Sequence, residues 1–327
     1  MKIKFLPFIN DDTGKNWRTK REKAFLTNQG LLVTNEINEI RNNHGNTTLY
    51  PTDNDYYTAL HEKKAERQKR WLEILLKETA HLFSEELNKL SADDKDKDKT
   101  TIVAALPEFF WYDINDNDKH KNTEKIVNYH KPIYAANLIN YLLGHENPLV
   151  KLTTDYPNLI FFAGTAIWKY LDPENKENIY NTLMIFGGGK LLKVWTKVSV
   201  STIDGFYDWS KSKVVVAKDK IGHGTTNDIP AVSFNGKTFV FDICLDFSLK
   251  PGEPPLSSKL FSGNSDVNLP ISAGMPVDST KLNLINSPLM FRCDGLWEPY
   301  GEILIKNSGT VRTSSGTKKI DCLEIDI

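Results

Sequence analysis

The stretch "FVFDICLDFS", residues 239–248, sets a thiol at the end of an apolar run and a carboxylate two residues beyond it. Phe239, Val240, Phe241 and Ile243 are the aromatic and β-branched types that fill a buried strand, so Cys244 is expected where that strand stops. A lone cysteine in such a run is commonly a small hydrophobe. The competing reading is a nucleophile on the rim of a pocket, because reactive groups gather where a rigid sheet hands over to loops. What else stands at strand ends decides between them.

Two further residues do. "TTIVAALPEFFWYD" (100–113) reads as a buried strand stopped by Pro107, with Glu108 at its mouth. "NIYNTLMIFGGGKLLKVWTKVSV" (178–200) reads as two strands joined by a glycine turn, the second delivering Lys197. Together Glu, Lys and Cys suffice for acyl transfer. A thiol with a free pKa of about 8.5 needs a base or a cation beside it to react as thiolate. Glu108 can take the proton, and Lys197 can stabilise the charge that grows on an attacked carbonyl oxygen. Taken singly, Glu108 also fits a solvated turn and Lys197 an ordinary exposed lysine.

The rest of the chain supplies the scaffold. "MKIKFLPFI" alternates like an opening strand. Residues 10–55 are polar and rich in Asn and Thr, and read as an insertion with at most one short helix. Residues 57–90 carry Leu60, Trp71, Leu75, Leu82 and Leu90 at helical spacing, which predicts a long amphipathic helix. "SADDKDKDK" (91–99) reads as a solvated loop and "KPIYAANLINYLLG" (131–144) as an amphipathic helix. Strands are expected in "NLIFFAGTAIWKY" (158–170), "DVNLPISAGM" (266–275), "SPLMFRCDGLW" (287–297), "GEILIKN" (301–307) and "KKIDCLEIDI" (318–327). Helices alternating early with strands, and strands pairing later, predict an α/β layered fold without internal repeats.

Composition narrows the partners. Of the 327 residues, 40% are hydrophobic and 25% charged, as in a soluble globular protein. A formal net charge of -1 offers no whole-molecule field for nucleic acid or an anionic membrane. No stretch reaches the roughly 18 apolar residues of a membrane span, and the opening lacks the apolar core of a secretory signal. Three cysteines without CxxC spacing point to a reducing, cytoplasmic setting; a secreted effector would present the same pattern. The histidines at 44, 61, 81, 120, 130, 145 and 223 form no zinc pattern such as HExxH. Cys293 and Cys322 are expected to be buried and inert. Phe109, Phe110, Trp111 and Tyr112 fit either a pocket mouth or core packing. "FGGGKLL" (186–192) lacks the ending of a phosphate loop and reads as a hairpin turn.

Glu108 in "LPEFF", Lys197 in "LLKVWTKVSV" and Cys244 in "ICLDF" resemble, in order and approximate spacing, the three catalytic motifs of the carbon–nitrogen hydrolase (nitrilase) superfamily. The resemblance implies an α/β fold, a four-layer αββα sandwich, as one domain over 1–327 with the polar insertion at 10–55. It implies homodimers built through the outer helices, a small amide or nitrile as substrate, and neither metal nor organic cofactor. Glu108 would act as base, Cys244 as nucleophile, and Lys197 with the backbone N–H of Leu245 would hold the oxyanion. Asp204 in "STIDGFY" stands where many members carry a second glutamate, and Asp246 keeps the acidic residue that follows the cysteine. Departures lie around the pocket: Trp195 and Thr196 precede Lys197, and "SLKPGEPPLSSKLFSGNS" (248–265) replaces an expected helix. An interaction module on an altered scaffold and an acyl or amide transferase on the same triad are the other readings.

Overall fold

The computed structural model describes residues 2–9, 17–96, 99–108, 110–112, 133–171, 177–199, 229–248, 252–275, 279–295, 300–306, 308–314 and 320–326. The first half runs β1 (Lys2–Pro7), α1 (Trp17–Thr27), α2 (Leu31–Asn42), α3 (Asp53–Asn88), α4 (Ala92–Lys95), β2 (Thr100–Ala105), β3 (Ile133–Tyr134), α5 (Ala135–Asn137) and α6 (Pro148–Asp155). β4 (Leu159–Leu171), β5 (Glu177–Gly187), β6 (Lys190–Thr196), β7 (Ala231–Phe234), β8 (Lys237–Ile243), α7 (Leu245–Ser248) and α8 (Leu256–Leu260) follow. The chain closes with β9 (Val267–Ser272), α9 (Ser279–Leu282), β10 (Leu289–Asp294), β11 (Gly301–Ile305), β12 (Gly309–Thr313) and β13 (Leu323–Asp326).

These strands form two sheets. One has the order β13-β1-β2-β4-β5-β6 with β3 also against β4; the other is β12-β11-β10-β9-β8-β7. Side chains of a strand alternate between faces, and that alternation builds three cores here. Ile3, Phe5, Val103, Ala105, Ile160 and Phe162 of the first sheet meet Phe239, Phe241, Ile243, Leu269 and Phe291 of the second. Phe5 stacks on Phe291 with ring centroids 5.0 Å apart. The alternate residues Ile102, Ala104, Phe161 and Met184 turn outward against Trp71, Leu75 and Phe83 of α3 and Leu149 and Leu152 of α6. On the far side Met290 and Leu304 pack with Phe247 of α7 and Leu282 of α9. The result is helix, sheet, sheet, helix: the αββα order that the resemblance implies.

The long helix starts where a capping box starts it. The Thr52 hydroxyl accepts from the Asp55 N–H at 3.2 Å, and the Asp55 carboxylate accepts from the Thr52 N–H at 3.0 Å. Among the described residues no helix is long and apolar enough to cross a membrane.

Four local expectations change. The polar segment 10–55 holds two helices, α1 and α2, where at most one was expected. Val33 and Ile37 of α2 bury against Tyr56 and Leu60 of α3, and tertiary burial outweighs weak local propensity. The charged run 91–99 is not wholly a solvated loop: α4 forms behind a Ser91–Asp94 capping box, and Asp94, buried, pairs with Lys4 Nζ at 3.0 Å. "KPIYAANLINYLLG" is the two-residue β3, then α5 and a π-helical turn at Leu138–Leu142, not one regular helix. Gln68 Oε1 accepts there from the Tyr134 N–H at 2.8 Å and from Asn137 Nδ2 at 2.9 Å, trading helix bonds for tertiary ones. The hairpin β7–β8 was unforeseen, although Asn235-Gly236, at φ of 49° and 68°, is a strong two-residue turn signal.

Strand direction decides where function can gather. β1, β2 and β4 run parallel, β5 reverses and β6 reverses again, so β6 ends at the same edge as β2. β8, β9 and β10 are parallel to one another. The Glu108 N–H donates to the Ser272 carbonyl at the end of β9 (3.3 Å), joining the two edges. Carboxyl ends of parallel strands are where α/β folds collect their sites.

Candidate active site

Glu108 reaches this edge because β2 ends at Ala105 and the chain turns through Leu106 and Pro107. β4 passes directly beneath that turn. Its register shifts between Phe162 and Thr165, and Gly164 there has a φ of 64°. A Cβ on Gly164 would sit 2.4 Å from the Pro107 carbonyl oxygen, so only glycine lets the two backbones approach.

Lys197 arrives on a hairpin. Gly188 and Gly189, at φ of 55° and 73°, make the tight turn, and Thr182 pairs with Thr196 across β5 and β6. The Lys197 N–H then donates to the Asn181 carbonyl at 2.8 Å, which holds the two residues side by side. Lys197 Nζ lies 2.8 Å from Glu108 Oε1, and Asn181 Nδ2 donates to the same oxygen at 2.8 Å. The side chains of Lys197 and Glu108 are 3% and 0% exposed. Two charges so far from water persist only when paired and hydrogen-bonded.

Cys244 comes directly after β8 with a φ of 46°. Left-handed backbone costs a non-glycine residue about 1–2 kcal/mol, and such strain concentrates at functional sites. Among the described non-glycine residues Asn235, in its turn, is the other case. The Cys244 N–H donates to the Ile271 carbonyl at 2.9 Å, and its own carbonyl accepts from the Phe247 N–H at 2.9 Å. Cys244 is half-buried, and Leu245 opens α7. Cys244 and Glu108 are thus bonded through their backbones to successive residues of β9.

A third tie closes the ring. Asp246, buried, accepts from the N–H groups of Val198 (3.2 Å) and Ser199 (2.7 Å), directly after Lys197. Burial pushes its carboxyl up to about 7, opposed by the Ser199 bond and reinforced by the charge of Asp242. Beneath Glu108, Asp294 accepts from Ser272 Oγ at 2.7 Å and from the N–H groups of Gly274 and Met275 at 2.9 and 3.0 Å, which pins the end of β9.

Glu108 and Lys197 therefore touch, and Cys244, Leu245 and Asp246 stand on the turn bonded to the same strand and the same lysine segment. Asp204 lies outside the described residues. Asn181, the asparagine of the strand ahead of the glycine turn, is the residue to which sequence reasoning gave no role. Its signal was a polar side chain in phase with Leu183 and Ile185 on the core-facing side of β5. Phe110 and Trp111 are core, with Trp111 Nε1 donating to the Ala163 carbonyl at 2.6 Å; Phe109 lies outside the described residues. Cys293 is buried as expected. Cys322 is exposed, just ahead of β13, because the closing strand begins at Leu323 and leaves it outside the ladder.

No family model matches the chain, and no curated protein does. Solved structures resemble it at low identity. A glutamine-dependent NAD+ synthetase from Acinetobacter baumannii aligns with TM-score 0.45 and 11% identity over 78% of this chain. The chain spans 43% of that synthetase. XC1258 from Xanthomonas campestris, a CN-hydrolase superfamily protein with an arsenic adduct in its active site, gives 0.43 and 9% over 77% of this chain and 85% of its own. An N-terminal amidase with a Gln-Gly peptide gives 0.32 and 11% over 62% and 44%.

Proposed function

We propose that this protein is a cysteine-dependent hydrolase of non-peptide carbon–nitrogen bonds, with a small amide or nitrile as substrate. The observation that carries the reading is a strained cysteine turn bonded to the same strand end as a buried Glu108–Lys197 pair. A carboxylate held against an ammonium is an available base, and an ammonium already desolvated is a preorganised electrostatic stabiliser.

Glu108 takes the proton of the Cys244 thiol, and the thiolate attacks the carbonyl carbon of an amide. Lys197 Nζ and the Leu245 N–H, which as the first N–H of a helix has no intrahelical acceptor, hold the oxyanion. The C–N bond breaks as Glu108 returns the proton to the leaving amine. Water, deprotonated by Glu108, then attacks the thioester carbon; the acid leaves and the thiol is restored. Splitting hydrolysis across a thioester replaces one hard step with two easier ones.

The test is intact-mass detection of an acyl adduct on Cys244 after incubation with a panel of small amides and nitriles. An adduct in the wild type and its absence in Cys244→Ala are expected. No adduct with any of the panel, together with unchanged turnover in Cys244→Ala, refutes the reading.

A further inference from the structure

The proposed chemistry needs the thiol and the ammonium in one fixed geometry, although they come from different sheets. β6 belongs to the first sheet and β8 to the second, and the apolar contacts between them are non-directional, so they do not by themselves fix one relative placement. Directional bonds are what fix it. Among the described residues, the Asp246 carboxylate accepts two backbone hydrogen bonds that tie the cysteine turn to the lysine segment. One oxygen takes the Ser199 N–H at 2.7 Å and the other the Val198 N–H at 3.2 Å.

The arrangement is economical in covalent terms. Asp246 stands two residues after Cys244, and Val198 one residue after Lys197. Val198 itself is 37% exposed while Asp246 is 1% exposed, so the carboxylate reaches out of the packed layer to grip backbone at the rim. A buried carboxyl is a costly way to hold a loop, because its ionised form loses more hydration than a neutral polar side chain would.

We propose that Asp246 is a positioning residue that acts on Lys197 through the backbone of Val198 and Ser199, locking the cysteine turn of the second sheet to the lysine strand of the first. This deepens the hydrolase reading and rests on it for its catalytic consequence. The two acceptor oxygens matter as a pair. An asparagine keeps one acceptor and turns a donor toward the other N–H, whereas a glutamate keeps both on a stem one methylene longer. Among the described residues Asp242 of β8 faces Asp246; burial raises its carboxyl as well, against the bonds it accepts from the N–H and Oγ of Ser257 and from Asn268 Nδ2. Burial first, and this neighbour after it, make the clamp sensitive to pH, which gives the test a second readout.

The experiment compares wild type, Asp246→Asn and Asp246→Glu in the full chain by two measurements. Hydrogen exchange follows the peptide that contains Val198 and Ser199 and needs no substrate. The rate of Cys244 alkylation by iodoacetamide is followed against pH. In Asp246→Asn, exchange at 198–199 should rise by about tenfold, alkylation should slow by about tenfold, and the inflection contributed by Asp246 should vanish from its pH profile. Asp246→Glu should recover most of both. Wild-type exchange at 198–199 in a folded Asp246→Asn, with an unshifted alkylation profile, overturns the proposal. Because exchange is read without turnover, that result stands apart from a failure of the hydrolase reading, which shows as absence of acyl adduct in the wild type.

Discussion

Cys244 and Cys293 flank the same residue. Ile271 of β9 pairs with Cys293 of β10 on one side, and on the other its carbonyl accepts the Cys244 N–H at 2.9 Å. The two thiols nevertheless live in different chemistry. Cys293 lies inside its strand, fully buried, with Sγ 3.6 Å from the Ala105 carbonyl, and burial pushes its thiol far above the ordinary range. Cys244 lies one residue past its strand, half-buried and in left-handed backbone. A strand one residue longer would have placed it in the ladder. The difference teaches that strand length and a single backbone angle, rather than residue type, separate a small hydrophobe from a candidate nucleophile.

The sharpest way to break the comparison is to delete each sulfur in turn. Cys244→Ala should reduce turnover by at least about a thousandfold, while Cys293→Ala leaves the catalytic rate within about twofold. Steady-state and single-turnover assays on the hydrolysed substrate check both. Native alkylation should follow the same split, with Cys293 labelled only after denaturation.

Lys197→Met asks whether the local cation distinguishes the two thiols. It strands Glu108 in a site with 0% side-chain exposure, so stability should drop by about 3–5 kcal/mol in denaturant titration. Cys244 alkylation should also fall toward the rate of Cys293. A variant as stable as wild type would mean that Glu108 takes its proton back at no cost.

The turn after Cys244 also carries a carboxylate whose charge changes near neutrality. In an unfolded chain an aspartate ionises near about pH 4, whereas burial holds Asp246 protonated up to about 7. Between these values the native state keeps a proton that the unfolded chain has lost. The contribution of this group is therefore complete below about pH 4 and falls as pH rises toward 7, by at most about 1.4 kcal/mol per pH unit. The difference in unfolding free energy between wild type and Asp246→Asn, measured across that range, should show this slope. A flat difference would place the ionisation elsewhere.

The smallest expected effect concerns the backbone angle itself. Cys244→Gly and Cys244→Ala both remove the sulfur, but only glycine accepts a φ of 46° without strain. The glycine variant should be about 1 kcal/mol more stable than the alanine one by thermal or denaturant unfolding. Equal stabilities would show that the turn relaxes when the thiol is removed.

Much of this was legible in the chain. Short apolar runs in residues 100–113 and 239–248 announced buried strands, and the helical stripe from Leu60 to Leu90 announced the long helix, because local patterning reports what is buried. Pro107 and the glycines at 187–189 marked where Glu108 and Lys197 are presented. Segments with weak local signal fared worse: α1 and α2 owe their existence to burial against α3, and 131–144 bends to satisfy Gln68.

By itself, the sequence determined the periodicities, the turns and the order in which a carboxylate, an ammonium and a thiol follow strand ends. The tertiary structure alone decided their company: Lys197 against Glu108 across 89 residues, Asp246 on the Ser199 amide across 47, and Asn181 on Glu108 across 73. A residue's neighbours along the chain constrain its backbone and its face. What it meets across two packed sheets depends on register and strand direction, which no short window encodes.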